Sequence, residues 1–180
     1  MTKAGQYDMH EHLLRFAAWT CARAIARGTV GAKMGNVYRT IVSADLETAL
    51  ATRFASHTEY DEWHPKMVQA VIKAAKKNGM ALTFGQGAKL LAIYIKTLYI
   101  IPGQRKDLLQ HAHPPVDRIL LKNALPKGER SNPENLAWTH FDKKRYDEAF
   151  KKVELKCSNG QRWMIEKCWH PQLNHQLNLQ

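Results

Sequence analysis

Gly85-Gln86-Gly87-Ala88-Lys89-Leu90-Leu91-Ala92-Ile93-Tyr94-Ile95-Lys96-Thr97-Leu98-Tyr99-Ile100 contains the most apolar run of the chain and stops just before Pro102-Gly103. From Gly87 onward the spacing predicts a helix over about 87–100. Leu90, Leu91, Ile93, Tyr94, Ile95, Leu98 and Tyr99 cover nearly its whole circumference. A helix that is apolar all round has to be covered on every side, so it belongs in the middle of the protein. Lys96 interrupts the run, which is also shorter than the ~20 residues that span a bilayer. A central helix is expected, and no membrane partner.

Working outward, the pattern stays helical. Leu13, Leu14, Phe16, Ala17, Cys21, Ala24 and Ile25 share a face over 8–27, before Gly28 and Gly31. A second helix is expected over 43–54, with Ser43 and Asp45 offering capping oxygens. A third is announced by Pro65, runs through Ala75 and is closed by Gly79. Beyond the central helix come a loop over 102–105, a short helix at Leu108 and Leu109, an interruption at His113-Pro114-Pro115 and a helix over 116–125. Residues 126–133 read as loop. A last long helix is expected from Asp142, with Tyr146, Ala149, Phe150 and Val153 inward and Ser158-Asn159-Gly160 as a turn after it. Short strands are an alternative only around 153–157 and 161–165. The fold class is all-α, compact, with a central helix–hairpin–helix. At 180 residues one domain over 1–180 is expected, divisible into a basic lobe at 60–125 and a supporting lobe from 1–59 with 126–180.

Composition narrows the partners. The chain carries 27 Lys and Arg against 16 Asp and Glu, a formal charge of +11. Such an excess favours a polyanion. Eight of those cations, Lys66, Lys73, Lys76, Lys77, Lys89, Lys96, Arg105 and Lys106, lie in the 44 residues 63–106, which hold no acid. The other 136 residues carry 19 basic against 16 acidic, so the excess is concentrated, as a phosphate-binding surface requires. A merely solvated helix face is the plain alternative. The first residues lack the apolar core of a secretory signal. Three cysteines, Cys21, Cys157 and Cys168, are too few for a disulfide framework. A cytoplasmic protein without a cofactor is expected.

Inside the basic segment, Gly85-Gln86-Gly87 permits a tight hairpin, with bare backbone N–H groups at the start of the next helix where an anion is favoured. The third glycine of a dinucleotide fingerprint is absent. Gly85-Gln86-Gly87-Ala88-Lys89 resembles the hairpin of the helix–hairpin–helix DNA glycosylases, in which Gly-x-Gly-x-Lys opens a helix carrying a catalytic lysine. That family places an aspartate in a Pro-Val-Asp element heading a later helix, and this chain has Pro115-Val116-Asp117 before Ile119-Leu120-Leu121. The resemblance covers about 67–125. It departs in Thr83-Phe84 for the family's Leu-Pro, in a longer interval from Lys89 to Asp117, in Ile119 where histidine is frequent, and in the lack of a four-cysteine cluster.

The resemblance implies DNA as partner and base excision with strand cleavage as the reaction. Lys89 would be the nucleophile at C1′ and Asp117 the carboxylate stabilising an oxocarbenium-like sugar. Gly85, Gly87, Lys66, Lys73, Lys76, Lys77, Arg105 and Lys106 are the expected nucleic-acid contacts. A helical module that binds nucleic acid without catalysis is the alternative, with Lys89 a surface lysine and Asp117 a helix cap. A purely protein-binding subunit is the third. His111-Ala112-His113 could offer metal ligands, with Asp117, Cys157 or Cys168 completing a site, but the spacing is loose and no metal is expected. His113-Pro114-Pro115 more simply aims the following helix. The aromatics Trp138, Phe141, Tyr146, Phe150, Trp163 and Trp169 could stack on bases; of these, Tyr146 and Phe150 read as core and Trp169 as the better candidate for a partner or base contact.

Overall fold

The fold is built around α5 (Phe84–Ile95), whose every residue is buried. The computed structural model describes residues 8–156 and 160–170. Among them every regular element is helical and there is no strand. Val153 belongs to a helix and Arg162–Cys168 is a 3-10 segment, so the strand alternatives at 153–157 and 161–165 do not form in the described residues. Cys157, Ser158 and Asn159, including most of the expected turn, lie outside them.

Before α5 the chain forms α1 (Met9–Ile25), α2 (Met34–Ser43), α3 (Leu46–Ala49) and α4 (His57–Lys77). α1 packs on α2 and α5, and α4 packs on α2 and α5. Asp8 caps α1 by accepting from the His10 N–H at 3.0 Å. Its buried Ala17, Ala18, Cys21, Ala22 and Ile25 follow the three-and-four spacing of one helix face. The helix expected over 43–54 is displaced: α2 ends at Ser43, and Asp45 turns the chain with φ 50°. A short polar side chain tolerates that left-handed geometry better than most, so the residue expected to start a helix separates two. α4 begins eight residues before Pro65. Ser56 accepts from the Glu59 N–H at 3.2 Å and the Glu59 carboxylate accepts from the Ala55 N–H at 2.8 Å. That reciprocal capping starts the helix, and Pro65 is carried in its interior.

α5 also starts earlier than expected, at Phe84. Thr83 accepts from the Gln86 N–H at 3.2 Å and Gln86 Oε1 accepts from the Thr83 N–H at 2.9 Å, a full capping box. The hairpin therefore turns at 78–83, with Gly79 at φ +79°, and Gly85 and Gly87 lie within the helix. At Lys96–Ile100 the helix widens into a π turn. Then come α6 (Lys106–His111), α7 (Arg118–Ala124), α8 (Lys127–Arg130), 3-10 turns at Pro133–Leu136 and Trp138–His140, and α9 (Lys143–Glu154). One apolar cluster joins residues from Ala17 to Ile165. No helix among the described residues is long and apolar enough to cross a membrane.

Candidate active site and nucleic-acid face

Lys89 lies in the second turn of α5, and Asp117 is the N-cap of α7, reached through the extended Ala112–Val116 segment. The two meet. Lys89 Nζ is 3.0 Å from Asp117 Oδ2, with both side chains nearly buried. Asp117 Oδ1 accepts from the Leu120 N–H at 2.9 Å, which fixes the carboxylate plane, and Oδ2 also accepts from Trp169 Nε1–H at 2.9 Å. Lys89 Nζ stands 4.3 Å from the centre of the Trp138 ring, a cation–π distance. The ammonium is thus held between an aromatic face and a carboxylate, and a proton can pass directly between Nζ and Oδ2.

Both residues line one cavity of about 270 Å³. Its apolar walls include Phe16 of α1, Ile93 of α5, Pro115 and Trp169. In the π turn that follows α5, Lys96 binds Glu166, whose other oxygen accepts from Trp163 Nε1–H at 3.0 Å. This second ammonium–carboxylate pair also lines the cavity. The 3-10 segment that supplies Glu166 and leads to Trp169 is held against α7, where Asn123 donates to the Cys168 carbonyl at 3.0 Å. Trp169 was anticipated as a contact residue. Trp138, one of the aromatics expected to be able to stack on bases, instead holds the Lys89 ammonium. Glu166 and Phe16 were missed as site residues, and their contacts with the cavity cross long stretches of chain that leave no local signature.

The anion cradle expected at the glycines does not form. The Gly85 N–H donates to the Phe141 carbonyl at 3.0 Å, the Gly87 N–H to the Thr83 carbonyl at 3.0 Å, and both glycines are buried. Their value is close packing instead. A Cβ on Gly85 would stand 2.1 Å from the Trp138 carbonyl oxygen, and one on Gly87 3.1 Å from an Ile72 side-chain carbon. The glycine at 85 lets the Trp138 turn approach α5 and bring the indole to Lys89.

Arg105 is also not a surface contact. It is 8% exposed, donates to the Leu50 carbonyl and to the Thr52 carbonyl at 2.8 Å, and pairs with Asp107 at 2.6 Å. Burial would raise the Asp107 carboxyl, but the Arg105 hydrogen bond and the Phe54 N–H outweigh it and bring it down to about 2. Lys66, Lys73, Lys76, Lys77 and Lys106 are exposed. The structure adds Arg23, Arg27 and Lys33 to this set. Gly31 is packed against the Gly79 carbonyl and Gly28 faces Gln86, so the α1–α2 connection lies against the α4–α5 connection. Arg27 and Lys33 flank the first of these connections in sequence, and Lys76 and Lys77 precede the second.

The histidines serve a separate network. His113 Nε2 is 3.0 Å from Asp61 Oδ1, its Nδ1 is 3.3 Å from the Tyr146 hydroxyl, and its ring stacks on Phe150 at 3.6 Å. Arg162 donates to both Asp61 oxygens, at 2.6 and 2.9 Å, and to Glu154 at 2.5 Å. Burial pushes His113 and His64 below the usual histidine range, although Asp61 partly opposes it at both. Burial would raise Asp61, but hydrogen bonds from His113 and Arg162 hold its carboxyl well below the usual range. His111 Nδ1 faces His57 Nδ1 at 2.9 Å, and no group of three metal-ligating side chains occurs among the described residues. Cys21 is buried beneath α5, where burial pushes its thiol far up, so it is no nucleophile. Compared with protein-family models, curated proteins and solved structures, the chain matches none.

Proposed function

We propose that this chain is a DNA-binding base-excision enzyme, an N-glycosylase with lyase activity, in which Lys89 is the nucleophile and Asp117 its acid–base and electrostatic partner. One observation carries the reading: two residues 28 positions apart, paired by the resemblance to helix–hairpin–helix glycosylases, lie 3.0 Å apart at a single cavity. A target nucleotide turned out of the helix would place its base against the apolar walls and its sugar at the polar end. Asp117 takes the proton from Nζ. The freed amine attacks C1′, and the C1′–N bond breaks with its electron pair leaving on the base. Asp117 returns that proton to the departing base. A second Nζ proton passes to O4′ as the sugar ring opens to a protonated Schiff base. The Asp117 carboxylate then removes a C2′ proton, so that the electron pair expels the 3′ phosphate and cleaves the strand. The exposed cations from Lys66 to Lys106, together with Arg23, Arg27 and Lys33, are suited to contacting the phosphates.

Borohydride trapping on abasic and damaged duplexes tests this. The wild-type chain is expected to give a covalent complex. Lys89→Gln, which keeps a donor toward Asp117, is expected to fold normally and to give neither complex nor strand cleavage. DNA binding without any trapped complex across the panel would overturn the enzymatic reading and leave a nucleic-acid-binding module.

A further inference from the structure

α1 carries a feature that base excision alone does not use. Phe16 and Trp19 are 48% and 47% exposed, and their rings stack at 5.9 Å with an interplanar angle of 25°. The Arg23 guanidinium stands 5.4 Å from the centre of the Trp19 ring. Positions 16, 19 and 23 are spaced by three and four, so the two rings and the cation form one stripe along the helix. Arg27 follows just past its end, also exposed. No Asp or Glu occurs between residues 12 and 44. Phe16 is at the same time a wall of the Lys89 cavity, together with Thr20 and Ala24. The stripe therefore shares Phe16 with the cavity wall and runs along the helix beside it.

We infer that this stripe is a stacking face for unpaired bases of a DNA strand, so that the chain engages single-stranded or locally opened DNA beside its cavity in preference to intact duplex. The inference rests on the reading above that the partner is DNA. Charge complementarity selects the occupant. An apolar protein surface would cover the rings but would desolvate Arg23 and Arg27 without a counter-charge. A nucleic-acid strand offers π faces for the rings and phosphates for the guanidinium groups. Duplex DNA hides its base faces and presents phosphates, sugars and base edges, so the aromatic part of the stripe contributes only when bases are unpaired.

Tryptophan fluorescence and anisotropy titrations with an oligothymidylate and with a blunt duplex of the same length provide the test. The wild-type chain is expected to bind the single strand more tightly and to be quenched by it. The double variant Phe16→Ala, Trp19→Ala should weaken single-strand binding by about tenfold or more, the scale of losing stacking on one base. Its duplex binding should stay within about twofold. Because both side chains are half exposed, the fold is expected to survive. Trp19→Phe keeps a ring and should retain most of the affinity while losing much of the quench. Equal or tighter wild-type binding of the duplex would overturn the inference, as would a double variant that weakens both ligands alike or affects neither. Trapping reports Lys89 and oligothymidylate binding reports the stripe. Trapping without strand preference therefore removes this inference alone, and strand preference without trapping removes the lyase reading alone.

Discussion

Asp117 holds three parts of the chain with one carboxylate: Oδ1 caps α7 through Leu120, and Oδ2 receives Lys89 of α5 and Trp169 of the terminal segment. These roles separate by substitution. Asp117→Asn keeps an acceptor for the Leu120 N–H but turns an amide toward two donors, so trapping should be lost while α7 stays capped. Asp117→Ala removes the cap as well and should be less stable than Asp117→Asn by about 0.5–2 kcal/mol. Urea unfolding of the two variants checks the order, and equal stabilities would mean that the cap contributes nothing. At this scale the sequence was half legible. Lys89 and Asp117 each stand in a short recognisable setting, but the intervening residues do not say that the two meet. Trp138 and Glu166 reach the site only because the chain folds back, Glu166 pairing with a lysine 70 positions away, and periodicity carries no record of such contacts.

α5 shows what was legible among the elements. A helix apolar on every face has one place to go, and α1 and α9 announced themselves by a single apolar stripe each. α2 was missed because Gly28 and Gly31 suggest a turn and because Ser43-Ala44-Asp45 imitates a helix start, whereas Ser43 closes one helix and Asp45 spaces it from the next. The early start of α5 was missed for a similar reason, since two glycines suggest a loop when their use in close packing is unseen. That use predicts a contrast. Gly85→Ala drives a Cβ to 2.1 Å from a backbone oxygen and disturbs the Gly85 hydrogen bond to Phe141. It should cost about 1–3 kcal/mol or more. Gly87→Ala meets only side-chain carbons of Ile72 and Val68 at 3.1–3.2 Å. Alanine's better helix propensity, about 1 kcal/mol, offsets much of that crowding. Thermal unfolding should rank Gly85→Ala well below Gly87→Ala, and the reverse order would contradict this packing account.

Across the whole molecule, two acid-free stretches, 12–44 and 63–106, lie against each other where the α1–α2 and α4–α5 connections meet, while Asp61 and Glu154 are drawn into a network around Arg162. That network joins α4, the Ala112–Val116 segment leading to Asp117, α9 and the 3-10 segment carrying Glu166, so its protonation bears on how the fold holds together. His64 and His113 have folded-state values pushed below the ordinary 6.5 by burial. The unfolded chain therefore takes up their protons at higher pH than the folded chain does. Stability should be complete above about pH 6.5 and fall as the pH drops below it, with a slope of up to about 1.4 kcal/mol per pH unit for each histidine. Asp61 is depressed in the other chemical sense, held as a carboxylate below its usual range by His113 and Arg162. Its contribution persists above the ordinary carboxylate value and is lost only in stronger acid. Two stages of acid destabilisation are expected, the first from histidine and the second from Asp61. Urea midpoints measured from pH 7.5 to 4.5 should fall from about pH 6.5 downward. In His64→Gln, which cannot titrate, the slope of the first stage should be shallower by up to one proton. An unchanged slope in that variant would show that His64 is not neutral in the folded protein.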